Sequence, residues 1–600
     1  MTPTWPTGER AALTCPVCES GGPHPVLLRA LASGRIHTLL RCTGCTACFY
    51  RDRVIPDYGT QAGSELFRQV YLEQNAGIHH MTGVLFRLDD TRDGPGLDLG
   101  LDPGLDSMLD VGCGFGYPVD LAAKVLGWRA VGVDPADYAA AGARLLRADL
   151  RHEYLTAASD LGKPFSLVMG SEVIEHIPDP YAFTALLRRW MKPGGTLVLT
   201  TPDAGMIHPG QDPATLFCML SAGGHLILYS AQAMEVMLRR AGFAHVHAEC
   251  AGNNLIAYAS DRPLRFRADA PARHVAGYRA YLQHLVGTAE PGLPLWNGAA
   301  GRLFELDAHS APLEEALGLW ARIAGAWRDR FGFDLARHRP PAPLAERAFD
   351  ADAMARLASH AAAQPVNLGA VLAARAVLER RVPGHTPESV LLFARPAFTV
   401  CVQTRRVLER CGLIDLALRE SAIGARLMML DALVELAPEL ELELLAALAV
   451  PSGGDLAGRV DVPAGRMAAR IAGPFMRAVE DGRLQEAARL APFLADLDAI
   501  VAAPLGSPAD NMMLLFRLGV LRLLHLRDRA GARAAFVRLA EQAAGWNSVP
   551  QWTAQAGPLL RLAQDHVALV DGMAPGPGGL AGVCPCSSGG RSLAGAVPAR

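Results

Sequence analysis

Three glycines follow a short apolar run in the stretch LDVGCGFGY (residues 109–117), at Gly112, Gly114 and Gly116. Glycine lets a backbone approach a ligand closely, because it has no Cβ and accepts positive φ. The spacing is not the G-x-G-x-x-G of dinucleotide-binding turns, since Tyr117 stands where the third glycine would fall. No Lys-Ser or Lys-Thr closes the turn as a phosphate-binding loop would require.

Two carboxylates follow at intervals that suit an adenosyl group. Asp134 ends the predicted strand RAVGVDP, 22 positions after Gly112, where it could accept hydrogen bonds from both ribose hydroxyls. Asp149 in RLLRADL is placed at the end of the next predicted strand, within reach of an adenine amino group. Each alone is more often a solvated loop carboxylate. Together, on successive strand ends, they favour an adenosyl ligand without phosphates.

The elements that would position these residues alternate between strand and helix. This alternation predicts a parallel sheet covered on both faces. Only AGNN separates the last two strands, which predicts an antiparallel hairpin at one edge. The predicted strands lie near 107–112, 129–134, 144–148, 166–171, 196–201, 244–250 and 254–260.

An ordered set of motifs in this region resembles class I S-adenosylmethionine-dependent methyltransferases of the type 11/23 kind. The motifs are LDVGCGFG, VGVDP, FSLVMGSEVIEHIPDP, MKPGGTLVLTTP and MEVMLRRAGF, and the resemblance covers roughly residues 105–260. It implies an α/β fold with a Rossmann-like, seven-stranded sheet of order 3-2-1-4-5-7-6. S-adenosylmethionine carries a positive sulfonium and no phosphate, which suits close backbone and carboxylates better than an anion cradle.

The resemblance also implies which residues hold this cofactor. The glycine loop would line the methionine and ribose, Asp134 would bind the ribose, and Asp149 would lie near the adenine. The residues after the fourth strand would close the pocket. The full implied set is Asp110, Gly112, Cys113, Gly114, Gly116, Asp134, Asp149, Ser171 and Glu172.

SEVIEH places Glu172, Glu175 and His176 together after the fourth strand. In the simpler interpretation Glu172 closes the cofactor pocket and His176 caps the following helix. A subset of methyltransferases instead uses E-x-x-E-H and a later histidine to bind a divalent metal near the acceptor hydroxyls. His225 would be the fourth ligand here, with His208 as an alternative.

Residues 202–229 join the fifth strand to the next helix, and in this family the corresponding stretch often covers the methyl acceptor. His208, His225 and Tyr229 of this loop are therefore candidate catalytic residues, together with His176 of SEVIEH. Histidine suits proton transfer because its ordinary pKa lies near neutrality. A purely structural role is at least as common for such histidines.

Four cysteines near the start have the spacing of a zinc ribbon: CPVC at 15–18 and CTGC at 42–45, with 23 residues between them. Two such pairs supply four thiolates for structural Zn²⁺. Cys48 offers an alternative pair, because CTGCTAC also places it three residues after Cys45. We prefer Cys15, Cys18, Cys42 and Cys45, since CTGCTACFY resembles the end of zinc ribbons that precede bacterial methyltransferase domains. Thr46 departs from the usual glycine there.

The second half of the chain is rich in Ala, Leu and Arg with helical periodicity, broken at VPGHTPES, VPSGGD and APLGSPADN. Leu518 and Gly519, followed by Ala532, Phe536 and Ala540, resemble one tetratricopeptide unit, with a generic helical bundle as the alternative. The Gly-, Pro- and Ser-rich tail predicts disorder. The predicted organisation is a zinc ribbon (1–55), a helical linker (56–104), a methyltransferase domain (105–262), a tetratricopeptide-like helical region (263–572) and a disordered tail (573–600).

Composition narrows the setting. A net charge of −3 indicates no nucleic-acid partner, and no charge-free apolar run of membrane-spanning length is present. The start of the chain lacks a signal-peptide pattern, so a cytoplasmic location is expected. A large excess of arginine over lysine favours a bacterial source. The sequence thus predicts a cytoplasmic methyltransferase with S-adenosylmethionine and structural Zn²⁺ as cofactors and a small-molecule acceptor, weakly favoured to be a saccharide. The alternatives are a protein acceptor bound by the C-terminal helices, or a non-catalytic interaction protein.

Overall fold

The four paired N-terminal cysteines lie in turns between the strands of an antiparallel sheet. The computed structural model describes residues 3–32, 34–53, 65–74, 79–88, 106–335, 353–411, 413, 415–437, 464–494, 508–547 and 553–572. A fifth strand of this sheet comes from far along the chain, at Ile227–Leu228, and pairs with the last of the first four. Those four are β1 (Arg10–Ala11), β2 (His24–Ala32), β3 (Arg35–Arg41) and β4 (Cys48–Tyr50).

A seven-stranded sheet forms the core of the middle region, in the order predicted. Counting its strands along the chain, the order is 3-2-1-4-5-7-6, with five parallel strands and an antiparallel hairpin at one edge. The first and fourth strands, SMLDV and FSLVMGS, are buried at every residue, as expected for strands covered on both faces. The strands are β5 (Ser107–Val111), β6 (Arg129–Asp134), β7 (Leu150–His152), β8 (Phe165–Ser171), β9 (Met191–Pro202), β11 (His245–Ala251) and β12 (Asn254–Ser260), and β10 is Ile227–Leu228 of the N-terminal sheet.

The predicted third strand was misplaced. Residues 144–146 belong to a helix that spans Asp137–Leu146, and the strand follows it at Leu150–His152. The segment DYAAAGARLL is rich in alanine, the strongest helix former, and its small residues pack one helical face against the sheet. The helices of this region are α3 (Tyr117–Lys124), α4 (Asp137–Leu146), α5 (Pro180–Arg189), α6 (Pro213–Leu220) and α7 (Ala231–Arg240).

Polar side chains cap three of these helices. Asp179 accepts backbone N–H bonds from the first turn of α5, Asp212 does so for α6, and Ser230 for α7. The caps fix where each helix begins. They therefore also fix where the loops that lead from the strands into these helices end.

Among the described residues, two helices precede the seven-stranded sheet and six follow it within the same compact unit, residues 1–425. The described part of the linker expected at 56–104 consists of the first two helices and Leu88, which forms a bridge to Phe266. The division at 55, 104 and 262 stays a prediction. The helices are α1 (Glu65–Gln74), α2 (His79–Arg87), α8 (Ala270–Thr288), α9 (Pro294–Ser310), α10 (Leu313–Phe331), α11 (Ala353–Ala363), α12 (Leu368–Glu379) and α13 (Pro387–Arg410), followed by α14 (Leu416–Leu436), which runs into the second unit.

The second unit, residues 426–600, is helical wherever it is described. The pair predicted to resemble a tetratricopeptide unit forms a helical hairpin, in which Gly519 packs against the Phe536 ring so closely that a Cβ there would lie 2.6 Å from it. The repeat assignment stays a prediction. The predicted tail, 573–600, lies outside the described residues. The helices are α15 (Ala464–Glu480), α16 (Leu484–Leu490), α17 (Pro508–Leu524), α18 (Arg529–Asn547) and α19 (Thr553–Gly572).

Among the described helices, none is by itself long and apolar enough to cross a membrane. One bent pair, Ala353–Ala363 with Leu368–Glu379, reaches the required length and composition only when its two members are taken together.

Candidate functional site

The glycine loop follows β5 at the point where the order of the parallel strands reverses, with β6 on one side of β5 and β8 on the other. Ligands of open α/β sheets bind at this position. Gly112 has φ +73, and a Cβ there would lie 2.3 Å from a methyl group of Val173, so only glycine fits. Gly114 has φ +51 and faces open space, since the only described atom near its Cβ position is the Tyr71 hydroxyl, at 4.0 Å.

Asp134 ends β6 beside this loop, as predicted. Its Oδ2 accepts a hydrogen bond from the Gly114 N–H at 2.8 Å, and its Oδ1 accepts one from the Ala136 N–H at 2.7 Å. Each carboxylate oxygen keeps a second lone pair that a ribose hydroxyl could use. The two backbone bonds therefore hold the carboxylate in a fixed orientation next to the open face of Gly114.

Asp110 lies at the end of β5 and is 2% exposed. Its Oδ1 has no hydrogen-bond partner among the described residues. Burial, with a smaller contribution from the nearby Asp134 carboxylate, raises the pKa of Asp110 to about 8. A cationic ligand beside this carboxyl would reverse the shift, because an opposite charge favours the ionised form.

Cys113 and Gly116 complete the loop without facing open space. The Cys113 thiol packs over Gly132 of β6, where an added Cβ would lie 2.7 Å from the sulfur. Gly116, with φ +84, lies against Leu150 of β7. Both residues thus shape the loop against the sheet.

The structure does not place Asp149 where the sequence suggested. It lies before β7, at the amino end of that strand, and its half-exposed carboxylate pairs with Arg151 at 2.9 Å. The misplaced third strand explains the error, since the carboxyl end of β7 is at His152 rather than at 149. Because the adenine-binding role of Asp149 depended on that strand end, we leave it out of the pocket.

Ser171 and Glu172 lie at the carboxyl end of β8, beside the glycine loop. The Ser171 hydroxyl lies 2.6 Å from the Thr200 hydroxyl, which in turn donates to Glu172 Oε1 at 2.9 Å. Glu172 has φ +55, an uncommon conformation for a non-glycine residue. Burial raises the pKa of its carboxyl. The strained turn after β8 directs the chain past Gly112 and into the motif IEH.

A buried carboxylate and two histidines meet after this turn. Glu175 is fully buried, and His176 Nε2 and His225 Nε2 lie 3.9 Å and 4.0 Å from its Oε1. Neither Glu175 oxygen makes a hydrogen bond of ordinary geometry with a described residue, although the Thr201 hydroxyl approaches the carboxyl. The three ligand atoms lie within 4.8 Å of one another. Glu172, which the sequence analysis also counted among the metal ligands, is not part of this set.

The tautomers of both histidines follow from their other nitrogens. His176 Nδ1 lies 3.0 Å from the Gly224 carbonyl oxygen, and His225 Nδ1 lies 2.8 Å from that of Met219. A carbonyl oxygen only accepts, so Nδ1 carries the proton on each ring. Burial lowers the pKa of both histidines, that of His225 to about 3, so both rings are neutral. Two unprotonated Nε2 atoms therefore lie 3.9 Å and 4.0 Å from one carboxylate oxygen, an arrangement that a bound cation would stabilise.

The other two catalytic candidates are not in this cluster. His208 is exposed and is not among the grouped ligands. The Tyr229 ring is fully buried in the core that joins the N-terminal sheet to α7. Burial raises the pKa of its hydroxyl, and the nearby Glu175 carboxyl adds to the shift. Its contact with an acceptor stays a prediction.

Cys15, Cys18, Cys42 and Cys45 form the second ligand cluster, with all four Sγ atoms within 4.8 Å of one another. Cys15 and Cys45 are 3.7 Å apart, and Cys18 and Cys42 are 3.5 Å apart. Four thiolates at the Zn–S distance of about 2.3 Å would be separated by about 3.8 Å in a tetrahedron. The donors thus fit the ion.

Cys48 is outside that cluster and takes part in β4. It is fully buried, and its Sγ accepts a long hydrogen bond from Arg41 Nε at 3.5 Å. The same arginine donates to the carbonyl oxygens of Ala204 and Ile207, at 3.2 Å each. Arg41 and Cys48 therefore link the N-terminal sheet to the start of the loop at 202–229.

Sequence reasoning missed Tyr71 and Glu73 of α1. The Tyr71 ring lies against Phe115 and stacks on Tyr117, with ring centroids 6.3 Å apart in both pairs. Glu73 is 2% exposed and faces the C-terminal helices. The apolar spacing of ELFRQVYLEQ indicates an amphipathic helix, but nothing in it indicates that this helix covers the glycine loop.

Comparison with known proteins finds methyltransferases that are similar to part of this chain. A family model described as "Methyltransferase domain" matches residues 83–248. A "Probable S-adenosylmethionine-dependent methyltransferase" of Mycolicibacterium smegmatis is 36% identical over 107 residues, which cover 18% of this chain and 41% of the relative. A ubiquinone biosynthesis O-methyltransferase of Dinoroseobacter shibae is 36% identical over 100 residues, or 16% of this chain and 40% of the relative.

The chain thus spans about two fifths of the length of these relatives. Among solved structures, an O-methyltransferase family protein of Burkholderia thailandensis aligns with 14% identity and a TM-score of 0.27, covering 35% of this chain and 65% of the other. A TM-score of this size supports no inference. The family match and the strand order agree, because residues 83–248 match the methyltransferase model and the seven-stranded sheet has the strand order of class I methyltransferases.

Proposed function

We propose that the protein is an S-adenosylmethionine-dependent methyltransferase that methylates a hydroxyl oxygen of a small molecule. The carrying observation is that the fixed Asp134 carboxylate and the Glu175–His176 pair follow strands of one sheet on either side of the glycine loop, where the loop at 202–229 adds His225 to the pair. The O-methyltransferase names of several relatives agree with an oxygen acceptor. Hydroxylated small molecules include saccharides, and the proposal takes the wider class.

The cofactor would lie over Gly114, with its ribose on Asp134 and its charged methionine part near Asp110. Asp110 is the buried carboxylate whose Oδ1 lacks a partner, and both the sulfonium and the ammonium of the cofactor are cations. Ser171 and Glu172 close the far side. Each of these contacts uses backbone or carboxylate groups, as a cofactor without phosphates requires.

The acceptor would lie beside the Glu175 cluster. A divalent cation held by Glu175, His176 and His225 would polarise an acceptor hydroxyl and favour loss of its proton to solvent. The acceptor oxygen then attacks the methyl carbon in line with the C–S bond. That bond breaks, its electron pair stays on sulfur, and the sulfonium becomes a neutral thioether. The chain's role is to hold both reactants in this alignment.

The cysteine cluster would hold Zn²⁺ as a structural ion. Its four thiolates leave no open position for a substrate, which is the pattern of structural zinc sites. Backbone N–H groups of Val17 and Gly44 point at Cys15 and Cys42 sulfurs, at 3.4 Å and 3.3 Å, and would stabilise the thiolates.

Calorimetry with S-adenosylmethionine tests the first step. We expect the wild type to bind, and Asp134→Ala to lose about 10- to 100-fold in affinity, since hydrogen bonds to a charged group contribute about 1.5–3 kcal/mol. Asp149→Ala is the matched control, a half-exposed carboxylate nearby, and should change affinity less than twofold. No wild-type binding at millimolar cofactor would refute the proposed function.

Methyl transfer itself is tested with cofactor labelled in the methyl group and a bacterial small-molecule extract. Label should appear in a small-molecule product whose methyl carbon resonates as an O-methyl group. Pre-treatment with a chelator that spares thiolate-bound zinc should abolish the transfer, and added divalent cation should restore it. Label in protein only, or transfer that survives chelation, would contradict the acceptor class or the cation respectively.

A further inference from the structure

Helix α1 lies between the glycine loop and the C-terminal helices. Tyr71 and Glu73 are two residues apart, which separates their side chains by about 200° around a helix, so they face opposite sides. Tyr71 faces the loop, and its hydroxyl lies 4.0 Å from the position that a Cβ on Gly114 would occupy. Glu73 faces α9 and the residues before α12.

Glu73 is the centre of a buried hydrogen-bond network. Its Oε1 accepts from Asn297 Nδ2 at 3.1 Å, and its Oε2 accepts from the Val366 N–H at 2.7 Å. Asn297 is itself fixed, because its Oδ1 accepts from Trp327 Nε1 at 2.9 Å. Helix α9 and the turn before α12 thus both donate to one carboxylate of α1, and α10 fixes the donor on α9.

Two further bonds hold the same helix. Gln69 Nε2 donates to the Ala361 carbonyl oxygen of α11 at 3.1 Å. Arg302 of α9 donates to the Gln74 carbonyl oxygen at 3.1 Å and so satisfies one of the carbonyls left open at the end of α1. The anchors lie along the length of α1, from its first half to its last residue.

We propose that the helices from α9 to α12 complete the cofactor site, with Glu73 as the positioning residue that holds α1 so that Tyr71 covers Gly114. The inference rests on the proposed function for the identity of the cofactor. It gives the first C-terminal helices a part in cofactor binding, where the sequence suggested a separate interaction region.

The test is a double-mutant cycle on S-adenosylmethionine affinity, measured by calorimetry. We expect Tyr71→Ala to weaken binding about tenfold, since a buried aromatic contact is lost. Glu73→Ala should weaken it to a similar extent, and Glu73→Gln less, because the amide oxygen still accepts from Val366. Glu73→Ala added to Tyr71→Ala should cause no further loss, because both act through the same cover. The Michaelis constant for the cofactor should rise in each variant with kcat little changed.

Asp307→Ala is the matched control. Asp307 is a buried carboxylate of α9 that pairs with Arg279 at 2.7 Å, and the described contacts include no bond from it to α1. The substitution should therefore lower thermal stability and leave cofactor affinity unchanged. If Glu73→Ala fails to fold, Gln69→Ala and Glu73→Gln replace it, with expected losses of two- to fivefold. Unchanged affinity in both, or full additivity with Tyr71→Ala, would overturn the inference.

Hydrogen exchange of residues 65–74 gives a readout that needs no cofactor. Glu73→Gln should speed exchange of this segment in the free protein, whereas Asp307→Ala should not. If wild type binds no cofactor, the proposed function fails, and this measurement still decides whether Glu73 holds α1. Equal exchange in wild type and Glu73→Gln would refute the positioning role by itself.

Discussion

The two ligand clusters of the molecule differ in how completely the protein surrounds the space between the ligands. The four cysteines come from two short turns of one sheet, and an ion with tetrahedral coordination would be surrounded by their four sulfur atoms alone. Among the described residues the Glu175 cluster supplies three ligand atoms, from segments about fifty residues apart, so a cation there would need further ligands from outside this set. Closed sets hold structural ions and open sets suit catalysis. The difference thus predicts which cluster maintains the fold and which one acts on a substrate.

The largest expected effect is on the closed cluster. Cys42→Ser should lose the bound zinc and lower the free energy of unfolding by about 5 kcal/mol or more, since structural zinc contributes about 10–16 kcal/mol in small zinc domains. Elemental analysis and urea unfolding followed by tryptophan fluorescence check both. Cys250→Ser, at an exposed cysteine, is the control. Full zinc content in Cys42→Ser would mean that the cysteines do not bind as a set.

The open cluster should respond in rate rather than in stability. Glu175→Gln removes the charge of the buried carboxylate and should slow methyl transfer about 10²- to 10³-fold, because a metal ion contributes several kcal/mol of transition-state stabilisation. Cofactor affinity should stay within twofold, as calorimetry can show. Glu235→Gln, on α7 outside the cluster, should leave both unchanged. A stability loss as large as that of Cys42→Ser would remove the contrast between the clusters.

Asp110 provides a test of whether the positive charge of a bound cofactor compensates the negative charge of a buried carboxylate, as a metal cation would do for Glu175. Its pKa is raised to about 8 in the free protein, so below that pH binding of the cationic cofactor must release a proton. Affinity should therefore rise with pH, by up to about tenfold per unit, and level off above pH 8. The stability of the free protein depends on pH in the opposite direction from the affinity. Because folding raises the pKa of Asp110, its contribution to the free energy of unfolding falls as pH rises from about 4 to 8.

Calorimetry between pH 6 and 9, in buffers of different ionisation enthalpy, measures that proton release. Asp110→Asn should bind more weakly and without this dependence. A wild-type affinity that is flat across the range, with no proton released, would show that Asp110 is not the group that meets the cofactor charge.

The smallest effect is expected at Cys48, the alternative zinc ligand. Cys48→Ala should lower the free energy of unfolding by about 1–2 kcal/mol, as for a small buried side chain, and leave zinc content unchanged. Elemental analysis beside Cys42→Ser decides between the two. Loss of zinc in Cys48→Ala would replace the ligand set derived from the structure.

The fold could be read from the sequence wherever local pattern and tertiary burial agree. Two features show this agreement: the apolar runs that end at Asp110 and Asp134, and the spacing of the four cysteines. Both belong to short segments whose own residues indicate the structure. The third strand was misplaced because β7 is only three residues long and follows an alanine-rich helix. Local propensity in that segment favours the helix, and only pairing with β6 defines the strand.

The site was harder to predict from the sequence, because it depends on long-range contacts. His225 joins Glu175 through a loop whose course the sequence does not fix, while Tyr229, four residues later, turns into the core. The contacts of Glu73 join residues more than two hundred positions apart, and those of Tyr71 join residues in two separate segments. No period or spacing within α1 encodes such a partner, so only the folded chain reveals them.

The pairing of β10 with β4 also bears on how this architecture could have arisen. The residues that close the N-terminal sheet, Ile227 and Leu228, belong to the loop that leads away from the proposed acceptor position. Gain or loss of the cysteine-bearing segment by itself would leave the strand at Ile227 and Leu228 without its partner β4. Change in either segment exposes an unpaired strand edge in the other, so the two are expected to be inherited and to diverge together.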